Sequence, residues 1–201
     1  MRWSSVCAGL ALLVSMSAWA GPKVPKGQIE LISTEVLAQI DAAEAELAQL
    51  EQDLEAAEAE AEDAKGRIRS TEMNAKAVKE QLKADKAKVK AAKAEGGRAA
   101  KKAAEQVVEA TEVALDSARA EADAAKEAHG VAKARVALLE AQVALKGAEI
   151  ELSKAQGVRD AGGDIDVSKF DIAVSKAEIE YQQARAGEAG AEVDLARELP
   201  E

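Results

Sequence analysis

The sequence predicts an all-α protein: a long antiparallel coiled-coil hairpin with a shorter third helix packed on the second. Three observations predict it. Ala, Glu, Lys and Leu dominate a chain with 3 prolines and 2% aromatic residues, a composition that favours long helices and is too poor in aromatics for an ordinary mixed core. From Ile40 to Ala92 small and apolar residues recur in alternating steps of three and four. Two glycine pairs, Gly96 with Gly97 and Gly162 with Gly163, divide the helical stretches into three.

Residues 1–20, MRWSSVCAGLALLVSMSAWA, have the pattern of a cleavable secretory signal. Arg2 supplies the basic start, Val6 to Val14 the apolar run, and Ala18 and Ala20 the small residues before a cut ahead of Gly21. The run is shorter than the roughly 18 apolar residues a bilayer span needs. Cys7 precedes it without a lipobox, which argues against acylation. Cleavage removes Arg2, so the formal charge moves from −10 to −11. It also removes Cys7, Trp3 and Trp19, leaving a mature chain without thiol or disulfide chemistry. These features predict export across the inner membrane and a periplasmic location. Residues 21–28, GPKVPKGQ, read as a flexible tether.

The first long helix is expected over residues 29–95. Its heptad seam runs Ile40, Ala43, Leu47, Leu50, Leu54, Ala57, Ala61, Ala64, Ile68 and onward to Val89 and Ala92, with Thr71 and Asp85 as the polar interruptions. Upstream, Ile29, Ile32 and Val36 continue the stripe through a four-four step, a stutter. A second helix is expected over 98–156. It has two apolar faces, one through Val136, Leu139, Val143 and Ile150, the other through Val131, Leu138, Leu145 and Leu152, so it should lie between two neighbours. A turn over 157–165 and a third helix over 166–198 complete the plan. Asp166 or Ser168 can cap that helix, Ser168 and Asp171 having capping-box spacing. Its stripe is Phe170, Val174, Ala177, Tyr181, Ala184, Ala191 and Leu195, interrupted by Glu188.

Charge decides between a straight rod and a hairpin. From Gly27 to Ala64 there are twelve acids and no base; from Lys65 to Lys102 there are thirteen bases and four acids. From Glu105 to Glu127 the chain is acidic again. Reversal at Gly96 and Gly97 sets residue i beside a residue near 193 − i, which brings the basic block to the second acidic block, Leu54 to Leu139 and Leu50 to Val143. Against the reversal stand Arg98, Lys101 and Lys102, which oppose the dipole at the start of the second helix. The hairpin is the better fit because matched charge blocks fix orientation even though each exposed pair contributes little. Reversal at Gly162 and Gly163 likewise brings Val174 to Leu152 and Tyr181 to Leu145.

The candidate binding site is the hairpin tip. Lys86, Lys88, Lys90, Lys93, Arg98, Lys101 and Lys102 make a cationic end on an anionic protein, suited to an acidic protein partner or another anionic surface. These bases could instead only complement Glu105 to Asp123. The lone His129 has no Cys or second His with which to bind metal and reads as a packing residue. The acids between Asp41 and Asp63 ring a helix and lack an EF-hand loop, so they read as a solvated face. With no P-loop, nucleophile elbow or thiol, the sequence points to a non-enzyme without cofactor or metal. Its acidic balance excludes nucleic acid, and no segment after the signal is apolar enough to span a membrane.

The stretch VALLEAQVALKGAEIELSKAQGVRDAGGDIDVSKFDIAVSKAEIEYQQARA, residues 136–186, carries Arg159, Gly162, Gly163, Ser168, Phe170 and Asp171 between two Ala/Leu-rich helices. In this it resembles the coiled-coil hairpin of periplasmic adaptor (membrane fusion) proteins of tripartite efflux pumps. The resemblance implies a hairpin in the cell envelope. It does not extend to pump assembly, because no lipoyl or barrel strands flank the hairpin. The function expected is a structural spacer or docking surface for an envelope protein or for another copy of the chain. The alternative is a holdase chaperone whose hairpins enclose unfolded clients.

Overall fold

The computed structural model describes residues 21–95 and 97–198. The expected signal sequence therefore lies outside the described residues. Among those described there are four helices and no strand: α1 (Lys26–Ile29), α2 (Thr34–Glu95), α3 (Arg98–Asp160) and α4 (Ser168–Glu198). At 1.5 Å per residue α2 and α3 are each about 93 to 95 Å long.

The first long helix begins at Thr34, later than the residue 29 expected from the apolar stripe. Residues 30–33 form a turn closed by bonds from the Leu31 and Ile32 amides to the Gln28 and Ile29 carbonyls. Ser33 is why α2 starts where it does. Its carbonyl accepts the Leu37 amide at 3.0 Å, and its hydroxyl oxygen accepts the Val36 amide at 3.4 Å, as an N-cap should. What looked like a stutter is a break with a cap.

From Ile40 to Ala92 the seam residues are the covered ones. Every described residue of α2 in that span that is not fully exposed belongs to the heptad set, with the single addition of Glu72. The partner covering them is α3, antiparallel, with ion pairs at Glu46–Lys146, Glu72–Lys126, Lys86–Glu112 and Lys93–Glu105 along the pair. Each lies within about one and a half helical turns of the residue expected opposite. Both apolar faces of α3 are used, since the adjacent Leu138 and Leu139 are both buried.

α4 packs on α3 and does not pack on α2, so the three long helices form an open layer with α3 in the middle. At 31 residues against 63, α4 covers only the C-terminal half of α3. The result is a three-helix base and a two-helix arm. In the base, Val24, Ile32 and Ile40 meet Ile150, Ala155, Val158, Val167 and Phe170 in one apolar cluster. Gly157 lets the start of α2 approach this closely, because a Cβ there would lie 3.0 Å from Ile32 Cγ2.

The second reversal is a Schellman motif. Gly162, at φ 83°, follows α3; its amide bonds the Arg159 carbonyl and the Gly163 amide bonds the Val158 carbonyl, both at 2.9 Å. α3 runs to Asp160, four residues past the expected end, because this motif closes its last turn. α4 starts at Ser168, with the Asp166 carboxylate accepting the Ser168 amide at 3.2 Å. Asp166 is thus the cap of the two candidates, and its hydrogen bonds from Ser168 hold its pKa below the ordinary value.

Residues 21–28, expected as a flexible tether, are docked. Val24 is buried, its amide donates to Glu151 Oε2 at 2.8 Å, and Gln28 Nε2 donates to the Asp164 carbonyl. Four apolar residues within nine positions, Val24, Ile29, Leu31 and Ile32, were the sequence signal for this.

Candidate docking site at the hairpin tip

The end of the arm is made by two helix termini. α2 ends at Glu95 and α3 begins at Arg98, with Gly97 extended (φ −70°, ψ 169°) as N-cap; its carbonyl accepts the Lys101 amide. No side chain caps α3 and its first turn holds no acid. The positive end of the helix dipole and the side chains of Arg98, Lys101 and Lys102 therefore add in sign. Between Lys86 and Glu105 there are seven bases and two acids, Glu95 and Glu105.

The structure divides the seven bases into two groups. Lys86 pairs with Glu112 at 2.8 Å and Lys88 with Asp85 at 2.7 Å, while Lys93 and Lys101 both approach Glu105, at 3.9 and 3.7 Å. Lys86, Lys93 and Lys101 thus complement the acidic stretch of α3, while Lys88 serves Asp85 of its own helix. Lys90, Arg98 and Lys102 are exposed and have no ion pair among the described residues. The tip's outward charge is carried by these three.

Just below the tip the seam holds a carboxylate. Asp85 is 2% exposed and accepts from Gln81 Nε2 (3.0 and 3.1 Å), Lys88 Nζ (2.7 Å) and Thr111 Oγ1 (3.1 Å). The Lys88 hydrogen bond, helped by those from Gln81 and Thr111, outweighs desolvation and holds its pKa below the ordinary value. A polar group in a heptad seam favours one register, because a slip against α3 takes Thr111 away from Asp85 and leaves it only the partners on its own helix. Glu188 does the same for α4. Its side chain, 15% exposed, accepts from Arg135 of α3 at 3.2 Å.

No protein-family model, curated protein or solved structure matches this chain.

The remaining candidate residues sit along the shaft. His129 is half-buried with Nδ1 3.1 Å from the Ala61 carbonyl oxygen, a contact that requires the ring nitrogen to donate, next to the Ala64 position expected opposite it. Among the described residues no three His, Cys, Asp or Glu side chains converge as a metal site, and no helix is long and apolar enough to cross a membrane. The concavities are open troughs between helices, such as the one between Glu72, Lys76 and Lys79 of α2 and Arg119 and Asp123 of α3. Sequence reasoning missed the network at the base, where Lys154 reaches Glu44 of α2 at 2.8 Å and Glu151 at 3.1 Å while Glu151 holds Val24. The i, i+3 spacing of Glu151 and Lys154, beside Leu152 of the second apolar face, was the available signal.

Proposed function

We propose that this chain is a non-enzymatic, exported coiled-coil protein of the cell envelope, periplasmic in location, that acts as a spacer and offers its hairpin tip to an acidic protein partner. One observation carries the reading: chain reversal sets a cationic end on an anionic shaft, with Lys90, Arg98 and Lys102 exposed and not ion-paired among the described residues. The shaft supports the spacer half, because its buried residues form a seam along two helices about 93 to 95 Å long and gather no pocket-forming core. The electrostatic half follows from sign. A positive patch on a protein whose net charge is −11 after signal removal draws an acidic surface to that end and repels it elsewhere.

The test is capture of envelope proteins by the purified chain, wild type against Lys90→Glu, Arg98→Glu and Lys102→Glu combined. Capture should fall, and fall further as ionic strength rises, with the helical circular dichroism unchanged. Equal capture by the variant takes the tip out of the function. Intact mass of the exported protein tests the signal, with a cut before Gly21 as the expected result.

A further inference from the structure

α4 carries a second heptad seam that faces away from α3 and is bordered at Ile172 by Gly21 and Pro22. Ile172, Ile179, Ala186 and Val193 are spaced seven apart, and Ile172, Ile179 and Val193 are 56, 58 and 50% exposed. The positions three residues further on are Ser175, Gln182, Ala189 and Ala196, all exposed. At 3.6 residues per turn this stripe points about 160° away from the one through Phe170, Ala177 and Tyr181 that faces α3. Because α4 is the edge of an open layer, a further helix can lie on it without meeting α2 or α3. The outer face of α2 differs: Met73 is its exposed large apolar residue, among charged and small neighbours.

The flanking charges say which helix fits. In a parallel, in-register pair, each residue just before the first set meets the residue five further along on the other helix. That places Asp171 against Lys176 and Glu192 against Arg197 of a second copy, twice each by symmetry; Glu178 meets Gln183 and Arg185 meets Gly190, without repulsion. An antiparallel pair in the register of longest overlap sets Glu178 against Glu192, Arg185 against its own copy and Lys169 against Arg197; slipped by one heptad, each remaining repulsion (Asp171 with Glu192, or Lys176 with Arg197) comes with one attraction (Glu178 with Arg185, or Arg185 with Glu192). Attraction without opposing repulsion therefore occurs only in the parallel orientation.

We infer that the chain forms a parallel homodimer through the outer face of α4, giving a layer of six long helices ordered α2, α3, α4, α4, α3, α2. Since α3 is antiparallel to α4 in each copy, both hairpins then point the same way and both basic tips stand at one end. Two tips on one rigid body raise apparent affinity for a multivalent acidic surface without any new contact. Ser175 and Gln182 in the seam weaken the pair while favouring a single register.

Sedimentation equilibrium across a wide concentration range tests this, on the chain carrying Cys7→Ser. The expected result is a mass that rises to twice that of one chain, and reverts to one chain for Ile172→Glu combined with Ile179→Glu. Both residues are exposed, so helicity should not change. Orientation is read from Val193→Cys under mild oxidation. A parallel pair closes a disulfide between the two copies, whereas an antiparallel pair holds those positions about 27 Å apart, beyond disulfide reach. A single-chain mass at every concentration, a dimer that survives the double Glu variant, or a dimer that forms no 193–193 disulfide each overturns the proposal. The readout is mass and linkage, so it stands or falls separately from the role of the tip.

Discussion

Thr111 of α3 holds its hydroxyl oxygen 3.1 Å from Asp85 of α2, across a seam in which Asp85 is 2% exposed. An ionised acid at that depth persists because Lys88 and Gln81 reach it from the turns on either side of it in α2. Its pKa is lowered, so the stability it confers is present above the ordinary value of 3.8 and is lost as pH falls through the lower folded-state value.

Acid should therefore loosen the arm through this residue. Asp85→Leu places an apolar side chain at a seam position and leaves no orphan, because the single Thr111 hydroxyl proton then goes to its own Val107 carbonyl oxygen, 2.8 Å away. Replacing a buried charge network by packing apolar groups is commonly neutral or stabilising. The variant should gain more over wild type in thermal midpoint at pH 3 than at pH 7, measured by circular dichroism. An equal difference at the two pH values would show that Asp85 titrates without consequence for folding.

The hairpin itself has a distance test. Spin labels at Gln52 and Glu140, both exposed, should report less than about 20 Å within one molecule, given interaxial distances of 8–10 Å plus label arms. A straight helix through Gly97 would separate them by about 130 Å. Dilution with unlabelled chain separates intramolecular pairs from those between copies.

How much of this could be read in advance differs by feature. The α2 seam was legible because a heptad is a local pattern, and Ile40 through Ala92 are the covered residues. The charge blocks revealed the reversal, yet not that Glu105 would take two lysines while Lys90, Arg98 and Lys102 stay outside such pairs among the described residues. The break before Thr34 was hidden because Ile29, Ile32 and Val36 fit a continuous stripe, and only tertiary packing against Gly157 and Val158 makes the turn worthwhile. The outer stripe of α4 was masked by the stronger inner one. Phe170 and Tyr181 draw attention to the face that packs on α3, and an exposed Ile has the same letter as a buried one.

The glycines that make the turns should respond unequally to alanine. At Gly163 a Cβ would lie 2.5 Å from Val158 Cγ1 and 3.0 Å from the Val158 carbonyl oxygen, so Gly163→Ala should cost about 1–3 kcal/mol. Gly162→Ala meets no atom but sits at φ 83°, where a side chain costs about 1–2 kcal/mol. Gly97 has φ −70° and open space around it, so for Gly97→Ala the gain of about 0.4–1 kcal/mol through the unfolded chain is offset by the poorer fit of Ala at an N-cap, and the variant should lie close to wild type. Urea titration of the three variants gives the order. A destabilised Gly97→Ala would mean that the first reversal needs glycine for a reason absent from its backbone angles.

Phe170 is the one aromatic side chain in the apolar cluster of the base, 4% exposed. Phe170→Ala should lower stability by about 3–5 kcal/mol, the range for a large core aromatic. The loss should also be local. Amides of α4 should exchange faster by hydrogen exchange, while those of the arm around Val78 to Val89 keep their protection, since α4 does not pack on α2. Uniform loss along α2 would mean that base and arm unfold as one unit.

At the opposite end of the pH scale the base depends on Lys154, whose side chain is 14% exposed between Glu44 and Glu151. Burial acts to lower its pKa, and the hydrogen bonds to the two carboxylates outweigh that and raise it above the ordinary 10.5. A raised lysine confers stability that is fully present below its unfolded value and lost as pH rises through the folded one. The base should thus keep this contribution at neutral pH and lose it only above 10.5. Lys154→Met removes the titration and leaves Glu151 holding Val24 without its counter-charge, so Val24 and the segment before α2 should loosen first. Lys154→Arg keeps a cation that does not titrate in this range and should retain stability at pH 11 where wild type declines. If wild type and the Arg variant decline together from pH 9 to 11, measured by urea midpoint, Lys154 is not what ties the N-terminal segment to the hairpin.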